Sequence, residues 1–193
     1  MEGNYMKKPF YKKWWVWIIA ALIIIFVAAG VSGNKKDGTK PAVAENKEAK
    51  LTVDDYTKRV EKALKEMGEK TKLKINSTEI LKDGRTSIGL SDNIIIVLET
   101  DNNKNIKKAS LAMTPNAYFT EMEDFKFAFL LLIGTMDDSL NFGERNLVKQ
   151  KLGLSDETIF SKDHTKVYQK NKIRYTYKGS IKENFILQAE LRK

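Results

Sequence analysis

From Trp14 to Gly33 the chain reads WWVWIIAALIIIFVAAGVSG, 20 residues with no charged side chain. No other feature restricts its architecture so strongly. At 1.5 Å per helical residue such a run reaches about 30 Å, the thickness of a bilayer's hydrocarbon core. A secretory signal has a shorter apolar region, roughly 7–15 residues, followed by a small-residue cleavage site. Sites of that kind exist in VAAG and VSGN, so a secreted product released by cleavage is the alternative. Length favours retention, as do Trp14, Trp15 and Trp17, whose rings suit the headgroup interface, with Ile23, Ile24 and Ile25 in the apolar centre.

Four lysines precede the run (Lys7, Lys8, Lys12, Lys13) and three follow it (Lys35, Lys36, Lys40). That bias predicts a cytoplasmic tail over 1–13, a single transmembrane helix over 14–33 and an extracytoplasmic remainder. The stretch KKPFYKKWWVW before an Ile-rich span resembles the N-terminus of small Gram-positive proteins anchored by one helix with an extracytoplasmic domain. The resemblance covers about 30 residues of the anchor. It implies a cell-membrane location and leaves the activity open.

Residues 34–50, NKKDGTKPAVAENKEAK, have almost no large apolar side chain and read as a flexible tether. The remainder, 51–193, has the length of one domain. Thr52 and Asp55 announce a helix start, Val53, Tyr56, Val60, Leu64 and Met67 follow at helical spacing, and Gly68 ends it. Strand-like sequence over 72–81 turns at Asp83-Gly84 and continues to Leu90. Residues 93–113 read as a hairpin around DNNKN, with Ile94, Ile96 and Leu98 on one face and Leu111 and Met113 on one face of the return.

Pro115 leads into helical sequence over 117–140. Its apolar run Phe127–Ile133 is short and bounded by acids, so it predicts a buried helix rather than a second span. Asn141 and Glu144 open a shorter helix to Leu152, and Gly153 closes it. Strands follow at KVYQ, IRYTYKG and NFILQAELR, the last with Phe185, Leu187, Ala189 and Leu191 on one face. Strands segregate from helices, which predicts an α+β domain with a largely antiparallel sheet. Both halves run helix-then-strands, a weak hint of duplication without any residue-level repeat.

Little in the domain points to catalysis. The chain has no cysteine and one histidine, which removes thiolate chemistry, disulfides and Cys-ligated zinc, so no metal or cofactor is expected. His164 beside Asp163 reads as a surface residue, because adjacent strand residues point to opposite faces. Of the acidic pairs, Asp54-Asp55 and Asp156-Glu157 suit helix first turns. Asp137-Asp138 lies near a helix C-terminus, where the dipole disfavours it, yet no calcium-loop pattern surrounds it. Neither GRTSIG nor FGERN has the spacing of a phosphate loop. An enzyme built on carboxylates is the least favoured alternative.

The strongest local signal is KDHTKVYQKNKIRYTYKGSIK, residues 162–182, with seven basic residues against Asp163 and three interleaved tyrosines. Lys166, Tyr168 and Lys170 share one face of its first arm. Lys172 lies at the turn, and Arg174 and Lys178 share one face of the second arm. Basic and aromatic side chains together suit polyanions such as teichoic acid or lipid headgroups, and more rarely nucleic acid. The competing explanation is a solvated, Lys-rich edge that blocks strand pairing. The net charge of +9 is spread widely. The expectation is therefore a non-enzymatic, membrane-tethered domain that binds an envelope protein or an anionic polymer, with the hairpin as its candidate surface.

Overall fold

A computed structural model describes residues 51–192. The predicted tail, span and tether, with Trp14, Trp15, Trp17 and Ile23–Ile25, lie outside the described residues.

The first helix, α1 (Val53–Met67), forms for the local reason its sequence announces. The Thr52 hydroxyl accepts from the Asp55 amide, and the Asp55 carboxylate accepts from the Thr52 amide, so two orphan donors of the first turn are satisfied. Gly68, at φ 52°, ends the helix. A meander follows: β1 (Ser77–Ile80), β2 (Thr86–Gly89), β3 (Ile94–Thr100) and β4 (Ile106–Met113). Its turns fall where the sequence places them. Gly84 takes φ 84°, and in DNNKN the left-handed residue is Lys104, at φ 62°. The Asp101 carboxylate caps that turn by accepting from the amides of Asn103 and Asn105.

The single helix expected over 117–140 is two helices, α2 (Pro115–Thr120) and α3 (Met122–Met136). The break lies at Glu121, whose backbone leaves helical geometry (φ −133°, ψ 41°). Its carboxylate accepts from Ser91 and from Asn93 in the β2–β3 turn, so the kink is tied to the sheet. α3 is buried over most of its length, as a core helix should be. Among the described residues no helix is long and apolar enough to cross a membrane. α4 (Phe142–Lys151) starts with a second capping box, Asn141 with Glu144. A 3-10 turn (Glu157–Ser161) precedes β5 (His164–Lys170), β6 (Ile173–Gly179) and β7 (Phe185–Leu191).

The seven strands of the described residues form one antiparallel sheet in the order β1-β2-β3-β4-β7-β6-β5. The fold is α+β, with the helices built on the face that carries Ile94, Ile96, Leu98, Leu111, Met113, Phe185, Leu187, Ala189, Tyr175 and Tyr177. Phe125 and Phe129 of α3 meet Phe160, Phe185 and Tyr177 there, with ring centroids 4.9–6.5 Å apart, mostly edge to face. The alternation read for β3 is only half of its burial. Ile95 and Val97 on the opposite face are buried too, with Ala112 and Ile186 beside them. The unbroken apolar run IIIVL is the pattern of a strand buried on both faces.

The two halves meet at β4–β7, each half running outward to its own edge. This is the order a twofold duplication gives, although the halves differ in strand number and in helices.

Candidate functional site

The basic hairpin is the β5–β6 pair, at one edge of the sheet. The two-residue turn Asn171-Lys172 closes it, with Asn171 at φ 53°. The register pairs Lys166 with Tyr177, Tyr168 with Tyr175 and Lys170 with Ile173. Cross-strand partners share a face. Lys166, Tyr168 and Lys170 therefore stand on the helix-bearing face, whereas Arg174 and Lys178 stand on the opposite one. Lys172 is exposed at the turn. The six candidate residues are thus divided between two faces and a tip.

Several of these charges have partners. Lys170 Nζ lies 3.2 Å from Glu144 of α4, and the Glu144 carboxyl is held below the usual carboxylate range, first by the Asn141 amide and then by Lys170. Arg174 donates to Glu190 at 2.7 Å, and Lys178 Nζ is 4.0 Å from Glu183. Lys166 is exposed and makes no ion pair among the described residues. Tyr168 is half-buried and packs against the core.

Arg174 also belongs to a row that one sequence reading does not reveal. Glu99, Lys108, Glu190, Arg174 and Gln169 stand in register across β3, β4, β7, β6 and β5. The four charged members alternate in sign. Lys108 Nζ is 2.9 Å from Glu99, and both side chains are largely buried, which pulls the Lys108 ammonium below the ordinary lysine range. The row joins Lys108 to Arg174 on one face, but Glu99 and Glu190 lie among the cations. Only the register shows this, and register emerges from pairing across distant segments.

Both ends of β5 are fastened to the helices. At the tip, Asn171 Nδ2 donates to Asp137 Oδ2 at 2.7 Å. At the start, a ring nitrogen of His164 is 3.3 Å from the Leu152 carbonyl at the end of α4, and the ring lies against Tyr177. His164 is half-buried, which corrects the expected plain surface residue. The reason is Gly153, whose missing Cβ leaves room for the ring: a methyl there would sit 3.2 Å from Nε2. Asp163 accepts instead from Ser180 at 2.8 Å, so the adjacent His and Asp go separate ways.

The unusual Asp137-Asp138 pair has a structural account. Asp137 takes Asn171 and Ser139, while Asp138 pairs with Arg59 of α1 at 2.7 Å. The pair joins the α3 terminus to α1 and to the hairpin tip. Among the described residues no group of His, Cys, Asp and Glu is arranged to hold a metal ion. Beneath the hairpin, the Tyr175 and Tyr177 hydroxyls are buried without a hydrogen-bond partner among the described residues, and burial pushes both phenols well above their ordinary range. Tyr56 is raised by the same cause, its hydroxyl 3.0 Å from that of Thr135.

A strand with one open edge, fastened at both ends, presents backbone and side chains in a fixed geometry. No protein family, curated protein or solved structure matches this chain.

Proposed function

We propose that the chain is a membrane-tethered recognition protein, with residues 14–33 as a single transmembrane helix and residues 51–193 as a non-enzymatic binding domain outside the cytoplasm. The observation that carries this reading is the uncharged run Trp14–Gly33 between lysine-bearing flanks, joined through the 17 residues 34–50 to a folded domain. Tethering confines the domain to a thin layer at the membrane, so a modest intrinsic affinity for a neighbour suffices. The partner is an envelope protein. The divided basic residues of the hairpin, with Lys170 and Arg174 already beside carboxylates, favour a defined protein surface over a polymeric anion.

The absence of cysteine makes the topology directly testable. Single substitutions Glu61→Cys in the domain and Asn4→Cys in the tail are labelled in intact cells with a membrane-impermeant maleimide. Labelling of Cys at position 61 alone, on a membrane-bound chain of full-length mass, supports the proposal. Labelling of that position only after lysis overturns it, and a shortened chain in the medium establishes the secreted alternative. Cross-linking in the same cells then identifies the partner.

A further inference from the structure

The two edges of the sheet differ. β1 is four residues long, whereas β5 is seven, extended from His164 to Lys170 without proline, glycine or a break in register. β5 is last in the sheet order and, among the described residues, pairs with β6 alone. In a hairpin with a two-residue loop the closing pair, here Lys170 and Ile173, exchanges both hydrogen bonds. By alternation, Thr165, Val167 and Gln169 turn their N–H and C=O groups outward. All three are exposed, and Val167 keeps 56% of its surface open. The fastening through His164, Tyr168, Lys170 and Asn171 lies on the helix side, so it holds the strand without covering its edge.

Charge selects the occupant. From Lys162 to Lys172 there are four lysines and one aspartate. A second copy of β5 paired antiparallel about Val167 would gather two such sets at one seam, which like-charge repulsion opposes. An acidic strand meets the complementary field. We propose that the outer edge of β5 accepts an extended acidic segment of another protein as an additional strand of the sheet. Main-chain bonds to Thr165, Val167 and Gln169 supply the affinity, and alternate side chains supply the selection. On one face a carboxylate lies beside Lys166, and a second meets Lys170 in competition with Glu144. On the other, an apolar side chain covers Val167. The inference names a partner class for the recognition reading, and it stands or falls independently of the membrane orientation.

The test uses the full chain in detergent and a capped peptide alternating Glu and Val, labelled for fluorescence anisotropy. Controls are the same peptide with Lys for Glu, and the Glu-Val peptide N-methylated at alternate positions. The Glu-Val peptide binds, protects the amides of Thr165, Val167 and Gln169 from hydrogen exchange, and weakens with salt. N-methylation lowers its affinity about tenfold or more, because the edge bonds are lost while the charge is kept. Val167→Pro removes one outward N–H without touching the β6 ladder and has the same effect, with thermal unfolding confirming that the variant folds. The N-methylated peptide keeps the question decidable if that variant does not fold. No binding, equal binding of the methylated peptide, equal binding of the Lys-Val peptide, or self-association of the chain through β5 each overturns the proposal.

Discussion

Three buried phenols set an alkaline limit on this domain. Burial raises Tyr56, Tyr175 and Tyr177 well above the ordinary tyrosine value. A group whose folded-state value is raised contributes stability that is fully present below its unfolded value and lost as pH rises toward the folded one. The unfolded phenol titrates near pH 10. At about pH 11 each phenol that ionises only in the unfolded chain therefore removes about 1.4 kcal/mol, and three remove about 4 kcal/mol. That is a large share of the roughly 5–15 kcal/mol typical of a whole domain. Lys108 and Lys149, both lowered by burial, act with the opposite sign as pH rises through the lysine range, but they are two groups against three. The assay is urea unfolding by circular dichroism between about pH 8 and about pH 11, with tyrosinate absorbance followed in parallel. Tyr177→Phe removes a hydroxyl that has no partner among the described residues, so stability at neutral pH is unchanged or rises by about 1 kcal/mol. The same variant loses about 1.4 kcal/mol less on alkalinisation. While folded, it shows the same tyrosinate absorbance as the parent chain at about pH 11. A lower absorbance in the folded variant would mean that Tyr177 ionises in place, and the reasoning would be refuted.

Thr52→Ala removes the cap of α1 and costs about 1 kcal/mol in chemical unfolding; an unchanged midpoint would show that the capping box does not hold the helix. Gly179→Ala sets a methyl 2.7 Å from the Asn184 carbonyl oxygen and the Phe185 Cα, backbone atoms that cannot swing aside, at φ 157°. It costs roughly 2–3 kcal/mol, read as a lower thermal midpoint, whereas Gly84→Ala, with no atom within 4 Å, keeps only the cost of its backbone angle. Glu99→Gln removes one of the anions beside the largely buried Lys108 ammonium, with Glu190 still its neighbour in the row, and costs roughly 1–3 kcal/mol. The double variant Glu99→Gln with Lys108→Met recovers most of it, and simple additivity of the two single losses in a double-mutant cycle would argue against the pairing.

What the sequence makes legible is what depends on neighbours along the chain. α1 and α4 each start at a capping box written in four consecutive residues, and the turns at Gly84, Lys104 and Asn171 fall within the loops expected for them. α3 is readable as a buried helix because its apolar run is bounded by acids. What is hidden depends on pairing between distant segments. The break at Glu121 exists because Ser91 and Asn93 bind its carboxylate, thirty and twenty-eight residues away. The same holds for the candidate hairpin. Composition brings Lys166, Lys170, Arg174 and Lys178 together, whereas the register of β5 on β6 divides them between faces. The partners that neutralise two of them, Glu144 and Glu190, come from α4 and β7.

The order of the strands also dictates when the sheet can close. Within β1–β4 and within β5–β7 every pairing joins sequence neighbours, so each meander zips from a short turn. The pairing of β4 with β7 must instead close a loop from Met113 to Phe185, at an entropic cost of about 4 kcal/mol against roughly 1.5 kcal/mol for a five-residue turn. Contact order therefore predicts that this seam forms late in folding. Until it forms, β4 and β7 are themselves edges, and they carry Ala109, Leu111, Ala112, Ile186 and Leu187. The finished edges, β1 and β5, are polar, short or lysine-bearing. The hazard of aggregation in this molecule therefore belongs to a nascent interval, and it ends when the two halves meet.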